Sequence, residues 1–200
     1  MAVRIETLTG ARIAAVLPEV ARLRIAVFRA WPYLYDGSFA YEHDYLAAFA
    51  REPDAAVIAA FDGDAIVGAA TAAPIGGHSA EFMPLFATRG FDPDRVFYLG
   101  ESVLLPEWRG HSLGHRFFDG REAHARSCNR RGRTFTHAAF CAVVRAADDA
   151  RQPAGYRPLD AFWMKRGYAK VDGLVGSFHW KEIGATADTA HPMQFWMRAL

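Results

Sequence analysis

Tyr98-Leu99-Gly100-Glu101-Ser102-Val103-Leu104-Leu105-Pro106-Glu107-Trp108-Arg109-Gly110-His111-Ser112-Leu113-Gly114-His115 is the stretch on which the reading of this chain turns. It closes the most apolar strand candidate, Val96 to Leu105, which Pro106 stops because proline has no N–H for a ladder. A short loop follows, and a helix runs from about Leu113 to Ser127, opening in a glycine-containing turn. The first N–H groups of a helix have no partner within it and the dipole there is positive, so a phosphate or pyrophosphate fits without a basic side chain. Gly110 and Gly114 let the main chain come close to such a ligand. Arg116, Arg121, Arg126, Arg130, Arg131 and Arg133 continue onward as the one basic patch, opposed nearby only by Asp119 and Glu122. The competing reading has Ser112 as a plain helix cap and the arginines as a solvated face.

Outward from this stretch the pattern alternates between strands and helices. Val3, Ile5 and Thr7 mark an opening strand, and Val16, Val20, Leu23 and Val27 give a helical spacing over Ala11 to Phe28, which Pro18 starts or kinks. An aromatic loop from Trp31 to Gly37 precedes a second helix carrying Tyr41, Tyr45 and Phe49. Ala55 to Phe61 and Ala65 to Ala73, joined by Asp62-Gly63-Asp64, read as a hairpin. A short helix around Glu81 to Phe86 leads into the central strand. Beyond the central helix, Arg133 to Val144 reads as a buried strand, and Leu159 to Arg166 as a short helix closed by Gly167. Leu174 to Lys181 and Pro192 to Arg198 supply the closing strands. The fold class is mixed α/β with six or seven strands, and a Rossmann repeat is absent.

Composition narrows the function classes. At 200 residues, 52% hydrophobic and 22% charged, residues 1–200 are expected to form a single domain with a sizeable core. A net charge of +1 argues against a dedicated nucleic-acid binder. No apolar run is long enough to cross a bilayer and no signal peptide opens the chain, so a soluble cytoplasmic protein without membrane partners is expected. Cys128 and Cys141 alone cannot build a disulfide framework or a four-cysteine zinc site.

Leu104 to Gly114 resembles the acetyl-CoA signature of the GNAT N-acetyltransferases, a hydrophobic strand followed by Arg/Gln-x-x-Gly-x-Gly/Ala. Arg109 matches its first position and Gly114 its last, with Ser112 where the first glycine is usual. Phe162-Trp163-Met164-Lys165-Arg166-Gly167-Tyr168 resembles the family's second motif. The resemblance implies a mostly antiparallel sheet, flanked by helices, whose parallel central pair splays apart to hold acetyl-CoA as co-substrate. The backbone of Ser102, Val103, Leu104 and Leu105 would bond to pantetheine. Amides from Arg109 through Gly110, His111, Ser112, Leu113 and Gly114 to His115 would hold the pyrophosphate.

The resemblance also implies direct acyl transfer to an amine, small or on a protein, without a covalent enzyme intermediate. Glu101, a carboxylate in an apolar strand, is the candidate general base; the competing assignment pairs it with an arginine of the opening helix. Trp163 stands where the family's usual acidic tyrosine falls, which leaves Tyr156 as the substitute acid or lets the thiolate leave unassisted. Cys141 reads as a buried, inert thiol. His111 and His115 have metal-ligand spacing but no third ligand, so no metal is expected. Trp31, Tyr33, Tyr35 and Tyr41, flanked by Asp36, Glu42 and Asp44, either suit a cationic amine or close the edge of the core. A non-catalytic acyl-CoA-binding module is the alternative function. Pairing of subunits through the closing strands stays open.

Overall fold

Residues 3–78, 80–130 and 132–200 are described by a computed structural model. The chain runs β1 (Arg4–Thr9), α1 (Ala11–Phe28), α2 (Phe39–Ala50), β2 (Ala56–Asp62), β3 (Ala65–Pro74), α3 (Ile75–His78), α4 (Met83–Ala87), β4 (Val96–Leu104), α5 (Leu113–Ser127), β5 (Asn129–Arg130), β6 (Arg133–Thr134), β7 (His137–Val143), α6 (Asp160–Lys165), β8 (Ala169–Trp180) and β9 (Thr189–Ala199). Seven strands form one sheet in the order β1-β2-β3-β4-β7-β9-β8, antiparallel throughout except for β4 beside β7.

Helices cover both faces, which is why the inner strands are apolar without alternation. Val57 and Ala59 of β2 pack towards α1 and α2 with Ile13, Val20, Leu23 and Leu46, whereas Ala56, Ile58 and Ala60 pack towards Phe117 of α5. Pro18 neither starts nor ends α1, which continues through it to Phe28. Ser38 caps α2, its Oγ accepting the Tyr41 N–H at 3.3 Å.

Two irregularities shape the centre of the sheet. Strands β4 and β7 pair only from Val96–His137 to Tyr98–Ala139, and beyond that point they part. On the other edge of β4, Ala72 faces Leu99 while Ala70 faces Ser102, so Gly100 and Glu101 together oppose Thr71. Such a bulge bends the strand that carries it. The Glu101 N–H donates to Thr71 Oγ1 at 3.2 Å, and a Cβ on Gly100 would run into that same hydroxyl. The bend directs the second half of β4 away from β7.

The strand expected over Arg133 to Val144 is two pieces. β6 turns back on β5 as a separate ribbon through Gly132, whose φ of 77° suits glycine, and β7 starts only at His137. β8 begins earlier than its apolar pattern suggests, because its register breaks between Lys170 and Val175 around Asp172-Gly173.

Candidate functional site

The parting of β4 from β7 leaves main-chain groups of β4 without a neighbouring strand. The Leu105 N–H donates to Val67 O at 3.1 Å, so with the alternation of an antiparallel ladder Val103 and Leu105 bond towards β3. Ser102 and Leu104 turn theirs to the opening. Of the stretch expected to bond to pantetheine, these two turn their polar backbone away from β3, while Val103 is fully buried in the core under α1.

Past Pro106 a single 3-10 turn, Pro106–Trp108, brings the chain to α5. Gly110 has φ 82° and Ser112 has φ 59°, both left-handed. Ser112 therefore occupies a conformation that favours glycine, and its side chain makes no cap to the helix. The Arg109 N–H donates to Pro106 O and the His115 N–H to Ser112 O, each at 3.1 Å. The amides of Gly110 to Gly114 make none of the turn's hydrogen bonds among the described residues, and they form the stretch open to an anion.

The side chains around this turn separate the earlier alternatives. Nδ1 of His111 meets Trp108 O at 3.2 Å, and the His115 ring lies edge-on to Phe162 at 4.9 Å, so the two imidazoles are engaged apart. Among the described residues no group of three or more His, Cys, Asp or Glu is arranged to hold a metal. The basic patch is mostly neutralised: Arg130 pairs with Glu52 at 3.1 Å, Arg126 with Glu122 at 3.8 Å and Arg133 with Asp92. Arg116 donates to Val3 O at 3.0 Å. Arg131 lies outside the described residues. Arg121 is fully buried, and burial pulls its guanidinium down to about 10. It donates to the Glu101 carbonyl at 3.3 Å, holding the bulge from the α5 side.

Across the sheet from α5, β4 borders a cavity of about 100 Å³ lined by Arg24, Tyr33, Tyr35, Tyr41, Tyr45, Tyr98, Glu101, Cys141 and Trp180, among others. Both assignments considered for Glu101 meet here. Its Oε2 lies 2.7 Å from Arg24 Nη1 of the opening helix, while Oε1 is buried with no hydrogen-bond partner among the described residues. Arg24 also binds Glu42 Oε2 at 2.5 Å, and Glu42 Oε1 accepts the Tyr35 hydroxyl at 2.8 Å. Burial opposes the Arg24 charge, but Glu101 and then Glu42 more than compensate and hold its pKa above the usual arginine value. Cys141 Sγ is 3.1 Å from the Tyr98 hydroxyl, and burial pushes the thiol up to about 12, as an inert cysteine requires.

Other expected residues fall elsewhere. Tyr156 stands edge-on to Trp31 at 6.1 Å, and neither ring lines the cavity. Trp163 is half-buried and packs against Phe140 and Trp196 of the core, at 5.0 and 5.1 Å. Asp36 pairs with Lys181 at 2.9 Å, and Asp44 is exposed. Sequence reasoning missed Arg24, Tyr45, Tyr98 and Trp180 as cavity residues. Arg24 carried a usable signal: an arginine inside the stripe of Val20, Leu23 and Val27 must be buried, and a buried guanidinium requires carboxylates.

No protein-family model matches the chain, and no curated protein matches it by sequence. Solved structures do match. A ribosomal-protein-alanine N-acetyltransferase from Brucella melitensis aligns over 98% of this chain and 99% of its own, with a TM-score of 0.57 at 16% identity. The PaiA N-acetyltransferase of Thermoplasma acidophilum, in complex with coenzyme A, aligns over 100% of both chains with a TM-score of 0.54 at 12% identity. Naa50 of Arabidopsis thaliana, in complex with the bisubstrate analogue CoA-Ac-MVNAL, aligns over 100% of both, with a TM-score of 0.55 at 15% identity. The chain has the GNAT acetyltransferase fold.

Proposed function

We propose that this protein is an acyltransferase that moves an acetyl or other short acyl group from acyl-CoA to an amine, by direct attack within a ternary complex. The observation that carries the proposal is the pairing of two features in one strand-to-helix passage. Strand β4 leaves β7 after Tyr98, and the turn beyond it holds Gly110 and Ser112 left-handed where α5 opens. Pantetheine lies beside Ser102 and Leu104 as an added strand, and the pyrophosphate rests on Gly110 to Gly114, with exposed Arg109 beside it. The coenzyme A complex of the Thermoplasma relative supports this cofactor.

A tetrahedral intermediate forms when the amine nitrogen attacks the thioester carbon, and an N–H on the open edge of β4 stabilises its oxygen. The attacking amine must be neutral, and an alkyl amine has an unperturbed pKa of about 10.4. Glu101 Oε1, unpartnered in the cavity, takes its proton directly or through water, while Arg24 fixes the carboxylate through Oε2. The departing thiolate takes a proton from Tyr98, which lines the cavity, or from solvent. The reading also places the protein in the cytoplasm, with neither nucleic acid nor membrane as a partner. Pairing of subunits would use the closing strands, of which β8 is the edge of the sheet.

The test is thiol release from acetyl-CoA in the presence of an amine panel. Amine-dependent release that Glu101→Gln abolishes, with coenzyme A binding retained, supports the reading. One observation favours a second reading, a non-catalytic acyl-CoA-binding module: Trp163, at the place of the family's usual acid, is half-buried and packs its ring against the core. Tight binding without turnover for any amine would favour that module.

A further inference from the structure

We infer that the acceptor is a small monoamine without a carboxylate, held in a narrow tyrosine-walled cavity that excludes polypeptide chains and polyamines. The inference rests on the acyltransferase reading and narrows it to a substrate class.

The cavity is narrowed by the chain segment between α1 and α2, which is laced to the end of β8. The Asp36 N–H donates to Lys181 O and the Ile183 N–H to Leu34 O, both at 2.8 Å, and Tyr35 forms an antiparallel bridge with Glu182. Trp180 Nε1 adds a bond to Tyr33 O at 3.0 Å. From the loop after β7, Arg145 donates to Pro32 O at 2.6 Å and Tyr33 O at 3.0 Å, and its guanidinium pairs with Glu182 at 2.5 Å. An extended chain crossing this side would have to break that lacing. A volume of about 100 Å³ also lies below the several hundred Å³ typical of pockets for drug-sized ligands.

Charge sets the rest of the class. On the cavity side of β4 the buried ionic groups are one cation, Arg24, between two carboxylates, Glu42 and Glu101, while Arg121 lies on the α5 side against the Glu101 carbonyl. Burial raises the pKa of Tyr33, Tyr35, Tyr45 and Tyr98, so these rings stay neutral. The cluster is thus one positive charge short, and the unpartnered atom is Glu101 Oε1. A single ammonium completes it, with the tyrosine faces alongside. A second ammonium would be buried with no counter-charge, and a ligand carboxylate would meet Glu101 while Arg24 is already bound on both sides.

Calorimetric titration of the whole protein, with and without saturating coenzyme A, tests this using n-butylamine, 1-butanol, putrescine, β-alanine and an alanine-initiated pentapeptide at neutral pH. The expected result is butylammonium binding at least about tenfold tighter than the others, weakened about tenfold by Glu101→Gln. Equal or tighter binding of the peptide, putrescine, β-alanine or butanol would overturn the inference, as would absent butylammonium binding or full affinity in Glu101→Gln. Circular dichroism of the variant keeps the comparison to folded protein. The coenzyme A titration alone reports on the acyltransferase reading, so the two fail separately.

Discussion

Arg24 of the first helix and Glu101 of the central strand meet at 2.7 Å, with side chains only 10% and 6% exposed. This contact ties α1 to the bulge that opens the sheet. Removing one member of a buried ion pair leaves the other uncompensated, which costs about 3–5 kcal/mol. Arg24→Met, which strands both Glu42 and Glu101, is expected to lose stability on that scale in urea unfolding. A loss under about 1 kcal/mol, the range of exposed pairs, would show that the contact does not organise the site.

Ser112 holds a left-handed conformation that costs a non-glycine residue about 1–2 kcal/mol. Ser112→Gly is expected to raise the melting temperature by a few degrees, at about 2–4 °C per kcal/mol for a chain of this size. Coenzyme A affinity should not fall, since the amide is retained. An unchanged or lower melting temperature would contradict the strained turn.

Both thiols are raised by burial, Cys128 to about 11 and Cys141 to about 12. Their thiolate fractions at pH 8 are correspondingly small, on the order of a thousandth or less. Native protein should resist iodoacetamide at pH 8 and take up two labels only after denaturation, as read by mass spectrometry. Rapid native labelling of Cys141 would revive a covalent role for it.

Acid should weaken the fold below neutrality. Burial lowers the pKa of His137 and His191, the latter stacked on Trp180 at 3.7 Å. The unfolded chain, with histidines near 6.5, then binds more protons than the native one as pH falls through that value. The stabilisation is full above pH of about 6.5 and is lost below it. Melting temperatures between pH 8 and pH 5 are expected to decline below neutrality. His191→Asn, which keeps a hydrogen-bonding side chain but does not titrate, should flatten part of that decline.

Much of the architecture follows from local signals. The Val96–Leu105 run, the Pro106 stop and the Gly110–Gly114 turn locate β4 and α5 because each depends on neighbouring residues. The bulge at Gly100–Glu101 was not legible, since it depends on Thr71 across the ladder. For the same reason the cavity was only half visible. Tyr33, Tyr35 and Tyr41 stood out as a cluster, but Tyr98 joins them through the sheet and Trp180 through the lacing of β8. The arginines after Gly114 looked like one patch because Glu52 and Asp92, their partners, are distant in sequence.

Gly114 offers the most direct test of the central claim. A Cβ there meets only the edge of Phe162, at 3.5 Å, and an aspartate in the first turn of a helix suits its dipole. Gly114→Asp is therefore expected to fold normally while placing a negative charge where the pyrophosphate would sit. Titrating acetyl-CoA into wild-type and variant protein in a calorimeter should give saturable binding to the first and a loss of at least about tenfold in the second. Absent binding to folded wild-type protein, or equal affinity in the two, would contradict the account.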